Sequence, residues 1–78
     1  MSSVISAHRR TAAPASLGAA LARRRIDHRI ARIERVLAAL RDRALYRESR
    51  GEVPRPLRQA IAGFSAELGE LRRRRAEL

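Results

Sequence analysis

Two stretches of this 78-residue chain carry apolar residues separated by alternating steps of three and four positions. This spacing places the apolar side chains on one face of an α-helix. In the first stretch the apolar positions are Ile26, Ile30, Ile33, Leu37, Leu40 and Ala44. In the second they are Leu57, Ile61, Phe64, Leu68 and Leu71. Gly51, Pro54 and Pro56 lie between the stretches, where glycine favours the end of one helix and proline the start of the next.

The two apolar stripes are mirror images about the boundary between Arg50 and Gly51, so that Ile33 lies as far before it as Leu68 lies after it. Equidistant positions face each other when a chain folds back on itself. We therefore predict an all-α fold, an antiparallel two-helix coiled-coil hairpin over residues 16–78. Its parts are helix one at about 16–49, a turn at 50–55 and helix two at about 56–77, and a flexible N-terminal tail at 1–15 precedes them. This register places Arg23 opposite Leu78.

A hairpin of two helices is marginally stable by itself, because the entropy lost on folding nearly cancels the gain from burying so small a core. Several apolar or small residues lie off the two stripes, and two glycines stand inside helix two despite their low helix propensity. We predict that these residues form an interface with a second copy, giving a dimeric helical bundle, or with a larger protein assembly. The predicted interface residues are Leu17, Leu21, Val36, Leu45, Ala62, Gly63, Ala66 and Gly69.

The chain has 18 basic residues, all of them arginine, and eight acidic residues, so its formal net charge is +10. Such an excess favours anionic partners. The hairpin brings residues 22–30 beside residues 70–78, and we call this region the open end. Its eight arginines form a predicted anion-binding or nucleic-acid-binding site: Arg23, Arg24, Arg25, Arg29, Arg72, Arg73, Arg74 and Arg75.

The same arginines also admit a simpler interpretation, in which cations near the end of helix two favour the helix dipole and the rest are solvated charge. Tyr46 and Phe64 are the only aromatic residues, and Phe64 belongs to the apolar stripe. Binding of RNA or DNA would therefore depend on charge and shape rather than on base sequence.

The sequence contains no pattern that indicates catalysis. It has no cysteine, no glycine-rich phosphate loop and no metal-ligand spacing. Asp27 and His28 are adjacent on a helix, so their side chains diverge by about 100°. We expect no enzyme activity, no cofactor, no metal site and no small-molecule substrate. No apolar run is long enough for a transmembrane helix, and we expect a cytoplasmic protein, with an N-terminal export or transit signal as the alternative.

These features predict a non-catalytic interaction module, in which a basic helical hairpin binds RNA or DNA through its arginine-rich open end. The alternative is a structural or assembly subunit, such as an accessory protein of a bacterial or phage complex. In that case the hairpin would dock on another protein through its helical faces.

Overall fold

In a computed structural model the chain forms two α-helices, α1 (Ser2–Ser49) and α2 (Arg55–Glu77). Side chains are described for residues 17–78, and no strand occurs among them. The two helices contact each other and form a hairpin, which confirms the predicted all-α fold. The flexible tail predicted at 1–15 lies outside the residues whose side chains are described and stays a prediction.

The core consists of four buried side chains from the middle of the apolar stripes. Ile33 and Leu37 of α1 are 2% and 1% exposed, and Leu68 and Leu71 of α2 are 7% and 9% exposed. Four further stripe residues are partly buried against this cluster: Ile26, Ile30, Ile61 and Phe64. The stripe residues nearest the loop are only half-buried, so the helices pack less completely there: Leu40, Ala44 and Leu57.

Two polar contacts at the far end of the hairpin show how the helices are aligned. The Arg23 guanidinium donates a hydrogen bond from Nη1 to the Leu78 carbonyl oxygen at 3.1 Å. Arg75 Nε donates to Asp27 Oδ1 at 2.7 Å. Asp27 is the neighbour of Ile26, the residue that the mirrored register places opposite Arg75. The register expected from the mirrored stripes is therefore the observed one.

The loop between the helices comprises residues 50–54, and glycine and proline end one helix and begin the next. The amide of Gly51 donates to the Glu48 carbonyl oxygen at 3.2 Å, which closes the last turn of α1. Gly51 has a φ of +144°, a conformation that side chains disfavour. Pro54 then precedes α2, and its carbonyl oxygen accepts hydrogen bonds from the Leu57 and Arg58 amides, both at 3.1 Å. Helix α2 begins at Arg55, one residue before the predicted start.

The glycines of the loop and of α2 should respond to alanine in opposite directions. Gly51→Ala forces a side chain into a disfavoured φ and should lower the free energy of unfolding by about 1–3 kcal/mol. An added Cβ at Gly63 meets nothing within 4 Å, so Gly63→Ala should raise it by up to about 1 kcal/mol. Urea denaturation followed by circular dichroism measures both. A loss of stability in Gly63→Ala would show that this position needs glycine for close packing.

Candidate polyanion-binding site

The hairpin brings two rows of arginines together at the open end. Arg23, Arg24 and Arg25 are consecutive on α1, and the run 72–75 forms the last turns of α2. All of the eight predicted site residues are exposed except Arg23 and Arg75, which are half-buried. The open end therefore presents arginine side chains from both helices to solvent.

Three of these arginines form ion pairs that join the two helices. Arg29 pairs with Glu67 at 2.5 Å, and Arg75 pairs with Asp27 at 2.7 Å. Arg72 pairs more loosely with Glu34, at 3.5 Å. Exposed pairs of this kind contribute about 0–1 kcal/mol each. Their main effect is to hold the guanidinium groups in place without burying them.

Glu70 holds two arginines of its own helix. Arg73, three residues later, donates a hydrogen bond to Glu70 Oε2, and Arg74 lies 3.9 Å from Oε1. The hydrogen bond and the charge of Arg73 lower the pKa of the Glu70 carboxyl, and the same contact raises the pKa of Arg73. The single negative charge of Glu70 therefore lies close to two positive charges, those of Arg73 and Arg74, and can balance only one of them.

The α1 row differs from the α2 row because it lacks carboxylate partners. Among the described side chains, Arg24 and Arg25 form no ion pair, and Arg23 donates to the main-chain oxygen of Leu78. All of the α2 row, in contrast, is within ion-pair distance of an acid. The unbalanced positive charge of the open end is therefore concentrated on α1.

A shallow depression of about 360 Å³ lies where the two rows meet. Arg23, Arg24 and Arg75 line it, together with Asp27 and His28. Because Asp27 is already paired with Arg75, the guanidinium groups of Arg23 and Arg24 dominate the charge of this depression. Its size and its lining suit a small anionic group such as a phosphate.

Glu34 and Glu67 were not recognised as part of the open end from the sequence. They lie in the middle of the hairpin, where their charges balance those of Arg32 and Arg35 in number. In the structure they reach diagonally across the helices to the open-end arginines instead. The mirrored register could have indicated these two ion pairs. It places Arg29 opposite Arg72 and Glu34 opposite Glu67. Each arginine therefore lies near a carboxylate of the opposite helix.

The predicted interface residues are distributed over several faces of the two helices. Leu17, Leu21 and Leu45 are 61%, 45% and 65% exposed. Most of the small residues of α2 are exposed as well, and Val36 and Gly69 are half-buried. An added Cβ at Gly69 also meets nothing within 4 Å, so the hairpin itself does not require glycine there.

Within residues 17–78 no group of three histidine, cysteine or acidic side chains could hold a metal ion. No helix in the described part of the chain is both long and apolar enough to cross a membrane. Comparison with protein-family models, curated proteins and solved structures gave no match.

The contribution of Glu70 to stability should depend on pH. Because its pKa in the folded state lies below the ordinary value of 4.5, the contribution is complete above that pH and is lost as the pH falls through the lowered pKa. Glu70→Gln should therefore lower the thermal midpoint at neutral pH, and its deficit against the parent should shrink in acid. Circular dichroism melts across this range measure it.

Glu52→Gln is the matched control, because Glu52 lies in the loop and forms no ion pair with a described side chain. It removes the same charge and should leave the midpoint unchanged at every pH. A Glu70→Gln deficit that persists unchanged in acid would contradict the assignment of the ion pair as its source.

Proposed function

We propose that this protein is a non-catalytic module that binds the phosphate backbone of RNA or DNA through its open end. The observation that carries the proposal is the depression lined by Arg23, Arg24 and Arg75, where two arginine rows from different helices meet. A guanidinium group offers several N–H donors in a fork that fits phosphate oxygens, so it can bind a phosphate with two hydrogen bonds.

The ion pairs of the open end are compatible with this role. A paired arginine uses only one or two of its five N–H donors, and Arg72, Arg73 and Arg74 remain 61%, 72% and 65% exposed. Exposed ion pairs of this kind are weak, so a phosphate group can take the place of the carboxylate in each pair. Among the described residues, the α1 row has no ion pair to break on binding, and only Arg23 would give up a hydrogen bond, the one to the Leu78 main-chain oxygen. We therefore assign the α1 row the larger share of the affinity.

Binding of RNA or DNA through these phosphate contacts would depend on charge and shape rather than on base sequence. Phe64 packs against the hydrophobic core, and the open end contains no phenylalanine, tyrosine or tryptophan. The His28 imidazole is the one aromatic ring at this end, so base stacking would contribute little. Phosphate contacts by themselves are independent of sequence and weaken steeply as salt rises.

The α1 row should dominate the salt dependence of binding to duplex DNA. Replacing Arg23, Arg24 and Arg25 with glutamine should weaken binding and reduce the slope of log Kobs against log salt by about 0.9 for each phosphate group that is no longer neutralised. Fluorescence anisotropy of a labelled duplex over a salt series measures both quantities.

The matched control replaces Arg41, Arg55 and Arg58 with glutamine, which removes the same charge from the other end of the hairpin. It should change the slope less than the α1-row variant does. Equal slopes for the parent and the α1-row variant would rule out the open end as the binding surface.

A second candidate function, assembly into a larger helical bundle, is favoured by the small core. Among the described side chains only four are buried, whereas Leu17, Leu21 and Leu45 are exposed. Burying a leucine contributes about 1.5–3 kcal/mol, so an assembly that covered these residues would add substantially to the stability of the hairpin. A second copy and a different helical protein are both suitable partners.

If the hairpin associates with itself, its thermal midpoint should rise with protein concentration. Sedimentation equilibrium should then show a dimer or higher species. Leu17→Gln with Leu21→Gln should abolish both effects, whereas the exposed control Ala38→Gln with Ala39→Gln should not. A monomer with a constant midpoint over the whole concentration range would exclude self-assembly.

A further inference from the structure

The loop end of the hairpin carries an apolar groove that the open-end site does not explain. We call residues 41–58 the tip. The groove has a volume of about 650 Å³ and lies between the end of α1 and the start of α2. Its apolar lining comes from both helices and from the loop: Leu40, Pro54, Pro56, Leu57 and Ala60. It exists because the helices pack less completely here than around the buried core.

The rim of this groove is polar and positively charged. Arg43 and Arg47 line it together with Tyr46, whose side chain is 58% exposed. The Arg50 guanidinium lies 5.2 Å from the centre of the Tyr46 ring, which is the distance of a cation–π contact. Pro54 in the loop and Pro56 in the first turn of α2 fix backbone φ angles beside the groove, which restricts changes in its shape.

The tip arginines differ from those of the open end in their electrostatic surroundings. Six arginines lie in the tip, and none of them is within ion-pair distance of a carboxylate of the described residues. Asp42 is adjacent in sequence to Arg41 and Arg43, and adjacent helical side chains diverge by about 100°. The guanidinium groups of the tip are therefore available to an external anion without displacing a partner.

From this arrangement we infer that the tip groove is a docking site for a segment of a partner protein in which apolar side chains are flanked by carboxylates. The apolar side chain would occupy the floor formed by Leu40 and Leu57, and the carboxylates would pair with Arg43 and Arg47. An apolar centre with a polar rim, and tyrosine and arginine as anchoring residues, is the usual anatomy of a protein–protein interface.

The other occupants fit this groove less well. Single-stranded nucleic acid binds by stacking bases on aromatic rings, and the tip has one such ring, with Arg50 already over it. A second copy of this chain would bring its own excess of positive charge, and Leu68 and Leu71, the apolar residues beside Glu67 and Glu70, are buried. Charge complementarity therefore favours an acidic partner.

The test uses the full chain and a short fluorescein-labelled peptide in which leucines alternate with glutamates. Two reference peptides separate the contributions: one with glutamate at every position, and one with the same leucines among glutamines. A labelled oligothymidylate represents single-stranded nucleic acid. Fluorescence anisotropy titrations give the dissociation constant for each probe.

The leucine–glutamate peptide should bind more tightly than either reference peptide. Arg43→Gln with Arg47→Gln should weaken its binding by roughly tenfold or more, and Tyr46→Ala should weaken it as well. The matched control, Arg24→Gln with Arg25→Gln, removes the same charge from the open end and should weaken peptide binding much less than the tip variant does.

Three outcomes would overturn the inference. Equal binding of the all-glutamate peptide would show that charge alone is responsible. Weakening of oligothymidylate binding by the tip variant but not by the open-end variant would assign the groove to nucleic acid. Equal weakening by the tip and open-end variants would show that the peptide does not occupy the groove. Circular dichroism melts of the variants establish that these exposed substitutions leave the hairpin folded.

Discussion

The contact of Ile33 and Leu37 with Leu68 and Leu71 determines where every other group of the hairpin lies. Each of these side chains contributes about 1.5–3 kcal/mol on burial, whereas each exposed ion pair contributes at most about 1 kcal/mol. The apolar contact therefore sets the register, and the charged pairs form wherever that register brings them. Sliding one helix by a single turn would separate Arg75 from Asp27 and would require a loop of different length.

This register divides the arginines into two chemically different groups. At the open end, acids from the middle of the hairpin reach the arginines, as Glu34 reaches Arg72. At the tip, none of the arginines is within ion-pair distance of a carboxylate of the described residues. Arginines at the open end thus form weak ion pairs that an anion can replace, whereas arginines at the tip are solvated cations beside an apolar groove. This difference is the reason for proposing a phosphate backbone at the open end and an acidic protein segment at the tip.

The fold was predictable from the sequence because two independent signals agree. The mirrored stripes specify which residues face each other, and Gly51 and Pro54 specify where the chain turns. The open-end arginines could also be placed, since Arg23 and Leu78 are equidistant from that turn. Their ion pairs could not be predicted with the same ease, because side chains as long as those of Arg29 and Glu67 meet diagonally rather than at facing positions. The tip groove was missed for another reason: periodicity marks Leu40 and Leu57 as core, and only coordinates show that they are half-buried.

The hydrogen bond from Arg23 to the Leu78 carbonyl links the depression to the end of α2. The last carbonyl groups of a helix have no partner within the helix, and here a side chain of α1 supplies one. An anion that draws the Arg23 guanidinium into the depression removes that support and favours fraying of the final turn. Because such coupling is reciprocal, fraying of that turn frees Arg23 and strengthens its hold on the anion. On the proposed function, the final turn of α2 and a phosphate group would thus compete for one guanidinium group.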